Sequence, residues 1–129
     1  MRLLLDTHIW IWSLQDPKRL GRRLLRELHN PENELWLSPI STWEALMLHD
    51  KGRVRLHGDP DAWVIRATAP FQEAPLTHEI AAVSRRLNLP QRDPADRFLA
   101  ATALVLDLVL VTADASLLGL GEIATLGNR

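Results

Sequence analysis

The sequence predicts an α/β fold, a three-layer α/β/α sandwich with a central parallel sheet. Three observations predict it. Short continuous apolar runs (Leu3 to Leu5, Leu35 to Leu37, Leu108 to Val111) alternate with helical segments, and strands buried on both faces have this appearance. The helices carry recurrent start signals, a capping residue followed by proline. No low-complexity stretch, linker or long repeat divides the 129 residues, so one domain spanning residues 1–129 is expected.

Arg2 to Leu5 reads as a buried strand that ends at Asp6, with a helix following through Ile9 to Ser13 and broken at Asp16-Pro17. Lys18 to His29 is predicted as one amphipathic helix. Its Arg19, Arg22, Arg23 and Arg26 share one face, and Leu20, Leu24, Leu25 and Leu28 share the other. Asn30-Pro31 ends it, and Leu35 to Leu37 is a strand. Ser38-Pro39 starts a helix running to Lys51, with Gly52 just past its end. Asp59-Pro60 starts the next, Asp61 to Ala67, closed by Pro70; Phe71 to Ala74 is a candidate strand. Thr77 caps a helix from His78 to Leu87, with Asn88 and Pro90 behind it. Asp93-Pro94 opens Ala95 to Leu106, apolar nearly all round and therefore expected to be buried. Leu108 to Val111 is a strand, a short helical turn reaches Leu118, and Glu122 to Leu126 is expected as a last edge strand.

Composition narrows the function. The chain has no cysteine, which excludes disulfides and a Cys-ligated zinc. Its longest mostly apolar stretch, Phe98 to Val111, contains Asp107 and is shorter than the roughly 18 residues a membrane span needs. A cytoplasmic protein without membrane association is expected. The net charge is −1, but the basic residues comprise 13 Arg against 2 Lys. Such a bias suits bidentate phosphate recognition, and it equally suits a GC-rich genome.

Five acids stand out: Asp6, Glu44, Asp93, Asp96 and Asp114. Asp6 and Asp114 each lie just past the carboxyl end of a predicted buried strand, the edge where open α/β sheets bind ligands. Asp6, Asp93 and Asp114 also stand where an N-cap is expected, and Asp96 falls at N3, where an acid suits the helix dipole. Glu44 departs from the capping account. Ser38-Pro39 already starts its helix, and it shares a face with Ile40, Met47 and Leu48, where a carboxylate is costly unless paired or ligating a cation. Two carboxylates about 5 Å apart repel by roughly 3 kcal/mol at an effective dielectric near 20. Converging acids of this kind need divalent cations, and an all-oxygen donor set points to Mg²⁺ or Mn²⁺. A pair of such ions suits phosphodiester hydrolysis. No Gly-rich phosphate loop competes with this reading. A receiver-type or dehalogenase-type phosphoryl-transfer site is disfavoured, because no Lys follows Asp114 and residue 8 is His, not Asp.

The order strand-Asp6-Thr7, Trp43-Glu44, Asp93-Pro94-Ala95-Asp96-Arg97-Phe98-Leu99-Ala100-Ala101-Thr102-Ala103 and Leu110-Val111-Thr112-Ala113-Asp114 resembles the PIN-domain ribonucleases, in particular VapC-type toxins of bacterial type II toxin–antitoxin systems. The resemblance covers essentially the whole chain, and Asp-Pro-x-Asp-Arg is its most specific part. It implies a PIN-like fold and a Mg²⁺- or Mn²⁺-dependent endoribonuclease. Asp6, Glu44, Asp96 and Asp114 would form a catalytic, metal-holding quartet, with Thr112 as a supporting hydroxyl. Asp93 is a further candidate ligand; the N-cap geometry favours Asp96 over it. The resemblance also implies a homodimer held inactive by a small VapB-like antitoxin. A housekeeping RNA-processing nuclease and a catalytically silent binding module are the alternatives.

RNA would be held by Arg19, Arg22, Arg23 and Arg26 on the basic helix face and by Arg97. His8 reads as a partly buried helix histidine, and His29, His49, His57 and His78 as surface residues. Trp10 and Trp12, two apart on one helix, cannot both face the core, so one is expected at an interface; Trp36, Trp43 and Trp63 are expected in the core.

Overall fold

A computed structural model of the chain describes residues 1–90 and 93–129. Five strands form one all-parallel sheet: β1 (Arg2–Leu5), β2 (Glu34–Leu37), β3 (Gln72–Glu73), β4 (Val109–Thr112) and β5 (Thr125–Gly127), in the order β3-β2-β1-β4-β5. Among the described residues seven α-helices connect them: α1 (Thr7–Gln15), α2 (Arg22–His29), α3 (Pro39–Asp50), α4 (Pro60–Thr68), α5 (His78–Arg86), α6 (Pro94–Leu106) and α7 (Ala115–Leu118). The three-layer sandwich follows from the alternation of β1. Leu3 and Leu5 enter one core with Ile9, Trp10, Leu24 and Trp63, while Leu4 enters the other with Ile80, Leu99, Leu110 and Leu117. Among the described residues no helix is long and apolar enough to cross a membrane.

Strand order positions the site. From β1 the chain steps outward to β2 and β3, then returns to place β4 on the other side of β1. The β1–β4 junction is therefore the topological switch point, and its crevice opens at the carboxyl ends of the strands. The register pairs Leu5 with Val111, and the Asp6 N–H donates to the Val111 carbonyl at 2.9 Å. Asp6 and Thr112 are thereby brought side by side.

The predicted caps form. Ser38, Asp59, Thr77 and Asp93 each accept a backbone N–H from their own helix, and Pro39, Pro60 and Pro94 follow three of them at N1. Gly52 has φ +73°, the left-handed conformation that ends α3. Asp107, at φ 54° and ψ 54°, ends α6 in the same way without being glycine. The edge strands are shifted: β3 is only Gln72–Glu73, and β5 begins at Thr125.

One predicted helix is broken. Pro17–Arg19 is a separate 3-10 turn, Leu20 is extended, and α2 starts after Gly21. The reason lies at the far end of the chain. The Gly21 N–H donates to Asn128 Oδ1 at 2.8 Å, Asn128 Nδ2 donates to the Arg19 carbonyl, and the Leu24 N–H donates to the Arg129 carbonyl. A Cβ on Gly21 would lie 1.7 Å from the Arg129 carbonyl carbon, so only glycine admits this close approach. The four-arginine stripe consequently does not exist as one helix face. Trp43 is a second correction: it is 57% exposed on α3, not in the core.

Candidate metal centre at the sheet switch point

Asp6 is the N-cap of α1, Asp93 of α6 and Asp114 of α7. The capping account and the converging-acid account are both true of them. Asp6 Oδ1 accepts the Ile9 N–H at 2.9 Å, while Oδ2 accepts the Thr112 hydroxyl at 2.5 Å. The same Thr112 oxygen accepts the Asp114 N–H at 3.0 Å. A single buried hydroxyl thus ties the end of β1 to the start of the α7 turn, and that is what Thr112 does here. Asp114 Oδ1 accepts the N–H groups of Ser116 and Leu117. Asp93 Oδ1 accepts the Ala95 N–H.

Glu44 arrives from α3. Its helix buries Ser41, Ala45 and Leu48, and Glu44 lies one turn after Ser41 and one turn before Leu48. The Thr7 hydroxyl donates to Ser41 at 3.0 Å inside the protein, fixing α3 against the start of α1. Trp43, about 100° round the helix from Glu44, must then point elsewhere, which explains its exposure. Asp96 reaches the same space from the first turn of α6, where the buried Ala100 leaves room one turn on. Asp6, Glu44, Asp93, Asp96 and Asp114 all line one cavity of about 320 Å³, walled also by His8 and Trp12.

Burial and mutual repulsion dominate the electrostatics of Asp6, Glu44 and Asp96. Burial, followed by the charges of Asp93, Asp114, Glu44 and Asp6, pushes the Asp96 carboxyl up to about 7. Burial also raises Asp6 above the usual carboxylate range against the pull of the Ile9 N–H and the Thr112 hydroxyl. Glu44 is raised too, chiefly by burial, with Asp93 and Asp6 adding repulsion and Thr7 and His8 opposing it. Among the described residues no trio of Asp, Glu and His side chains is drawn together into a finished coordination shell. The donor chemistry nevertheless fits a hard divalent cation. The donors are all oxygen, and Mg²⁺ keeps several of its waters and needs only one or two carboxylates directly.

A model of the PIN domain family matches residues 3–122. The chain belongs to the PIN-domain family. A curated relative, Ribonuclease VapC22 of Mycobacterium tuberculosis, is 30% identical over 115 residues, 87% of this chain and 86% of the relative. The fold is shared with VapBC2 from Rickettsia felis bound to a promoter DNA fragment, with a TM-score of 0.76, 14% identity and full coverage of both chains. It is shared equally with DNA-bound VapBC from Salmonella typhimurium, with a TM-score of 0.72, 16% identity and coverage of 100% and 99%. PIN domains that are nucleases generally depend on divalent metal.

The PIN domain's remaining candidates separate. Arg97 is not among the residues lining the carboxylate cavity. Its guanidinium donates to the carbonyls of Ser84, Leu87 and Leu89 at 2.9, 2.9 and 3.0 Å, closing the turn between α5 and α6. Arg19 covers the Trp12 ring, 4.3 Å from its centroid. Arg22, Arg23 and Arg26 lie exposed on α2, and Arg23 lines a different cavity with residues 125–129. His8 is exposed, not partly buried, and His49 is half-buried, its Nδ1 accepting the Leu56 N–H. Trp10 is fully buried and Trp12 only partly, as the two-residue spacing required. Sequence reasoning missed the Thr7–Ser41 pair; a serine on an otherwise apolar helix face was the available signal.

Proposed function

We propose that this chain is a single-domain endoribonuclease that acts as the toxin of a toxin–antitoxin pair. The observation that carries the proposal is the convergence of Asp6, Glu44, Asp96 and Asp114, from four separate segments, on one cavity at the switch point of the sheet. Mg²⁺ or Mn²⁺ is the proposed cofactor, held by these four carboxylates. When bound, the cation supplies Lewis acidity toward the scissile phosphate and the attacking water.

The chain's own residues do the rest. Thr112 orients Asp6, so that its carboxylate is fixed before any ligand arrives. The Thr7–Ser41 hydrogen bond sets the depth of Glu44. Asp96 is preferred to Asp93 as the ligand, because Asp93 is exposed and caps α6, whereas Asp96 is half-buried and faces the other acids. Ribonuclease VapC22 and the VapBC complexes support RNA as substrate and a VapB-like antitoxin as partner. A homodimer and a cytoplasmic location complete the reading. The intact quartet weighs against a silent binding module.

The purified chain is expected to cleave single-stranded or loop RNA with Mg²⁺ or Mn²⁺ and to stop in excess EDTA. Its expression alone is expected to arrest growth. Cleavage without growth arrest would favour housekeeping RNA processing, and absence of cleavage under all these conditions would end the proposal.

A further inference from the structure

A second cavity, of about 670 Å³, lies against the carboxylate site and shares two of its walls, His8 and Trp12. Its character is opposite. Arg19, Arg53 and Arg55 line it, with Asp16 as the one acid among its lining residues. Among the described residues no carboxylate stands within 4.0 Å of these three guanidinium groups. Its floor is a built feature. After Gly52 turns the chain at φ +73°, the N–H groups of Arg53 and Val54 both donate to the Leu48 carbonyl, and Gln15 Nε2 donates to the Arg55 carbonyl at 2.7 Å. Val54 and Leu56 tuck inward, so Arg53 and Arg55 project to solvent on alternate positions. Trp12 forms the shared ridge, its ring tilted 53° to His8 at 5.8 Å and flanked by Arg19.

We infer that this cavity is a binding subsite for the nucleotide next to the cleaved phosphate, with Arg53 and Arg55 holding its phosphate and its base stacking on the exposed Arg19 guanidinium that Trp12 supports from beneath. The inference rests on the ribonuclease reading for the identity of the strand. A polyanion leaving the carboxylate cavity past His8 and Trp12 meets guanidinium groups with no carboxylate within 4.0 Å among the described residues. Arginine forks match phosphate oxygens bidentately, and the bases of single-stranded RNA stack on guanidinium planes as they do on aromatic rings. Placing positive charge here lets a chain of net charge −1 attract RNA to an acidic centre. It also relocates RNA binding from the predicted four-arginine stripe to the α3–α4 loop.

The test uses a fluorescein-labelled single-stranded RNA dodecamer of mixed sequence, with anisotropy read in EDTA so that cleavage is off. Arg53→Ala/Arg55→Ala is expected to weaken binding about tenfold or more and to flatten the salt dependence by about 1.4 in log–log slope, about 0.7 per lost contact on a single strand. Arg22→Ala/Arg26→Ala, on the exposed face of α2, is expected to change neither. Trp12→Leu, which removes the support beneath Arg19, is expected to weaken the RNA about tenfold while leaving an abasic counterpart unaffected, a distinction that mere loss of packing would not make. Unchanged affinity and slope in Arg53→Ala/Arg55→Ala would overturn the inference. So would equal affinity for labelled polyglutamate, which would make the cavity a site for acidic peptide. RNA binding that follows this pattern without any cleavage in Mg²⁺ would keep the subsite and refute the ribonuclease reading instead.

Discussion

Asp96 and Arg97 are neighbours on the first turns of α6, and the protein treats their charges in opposite ways. The Arg97 guanidinium is met by three backbone carbonyls within 3.0 Å. It is a hydrogen-bonded strut between α5 and α6. Asp96, one residue earlier, faces four other carboxylates and is pushed up to about 7. A charge whose partners are all supplied by the fold is holding the fold. A half-buried charge that its neighbours repel marks a candidate functional site.

This contrast can be broken by substitution. Asp96→Asn has the largest expected effect on activity. Cleavage and metal binding should fall by more than the roughly 100-fold typical of losing an outer-shell partner. The same variant should melt higher than the parent in EDTA at pH 8, because one repelling charge is gone. A kinetic assay beside a thermal melt separates the two effects. Arg97→Ala should do the reverse, costing about 3 kcal/mol by leaving three carbonyls without their donor. Activity per folded molecule should survive, as read from denaturant unfolding and an active-site-normalised rate.

Thr112→Val should lower metal affinity about tenfold by releasing Asp6 from its orienting hydroxyl, measurable by Mn²⁺ titration. Asp93→Asn should be smallest of all. Asparagine keeps most of the cap, so stability should change by less than about 1 kcal/mol and substantial cleavage should remain. A dead Asp93→Asn with an active Asp96→Asn would reverse the ligand assignment.

The raised carboxyls also set a pH dependence. The carboxyl of Asp96 ionises near its ordinary value of 3.8 in the unfolded chain and is pushed up to about 7 in the folded one. Between those values the folded chain holds a proton that the unfolded chain has lost. The contribution of Asp96 to stability is therefore present below about pH 4 and declines as pH rises toward 7 and beyond. Asp6 and Glu44, also raised, act in the same direction. Melting temperatures of the metal-free chain should fall from pH 5 to pH 8, and Mg²⁺ should recover more of the loss at pH 8 than at pH 5.

Much of this was legible in the sequence, and the reason is locality. Ser38-Pro39, Asp59-Pro60 and Asp93-Pro94 decide their own helix starts within a few residues, and the apolar runs of β1 and β4 announce burial on both faces. The acids could be gathered because parallel strands must present their carboxyl ends at one edge. What the sequence hid depends on distant partners. The break before α2 is enforced by Asn128 and Arg129, over a hundred residues from Gly21. The helical periodicity of Arg19, Arg22, Arg23 and Arg26 held no trace of them. Arg97 looked like a substrate contact because its three carbonyls, on Ser84, Leu87 and Leu89, are backbone groups that any sequence would offer. The basic cavity escaped notice because Arg19 belongs to a 3-10 turn while Arg53 and Arg55 follow α3, and only folding joins them at Trp12.

We propose that the carboxylates at the switch point are a cation site with Asp96 as a ligand. Calorimetric titration of Mn²⁺ into the wild-type chain and into Asp96→Asn near pH 7 tests it most directly. The wild type should bind Mn²⁺ with proton release, since the ion displaces the proton that Asp96 holds there, and Asp96→Asn should lose both the affinity and the released proton. Equal Mn²⁺ binding by the two proteins, or none by the wild type, would contradict the account.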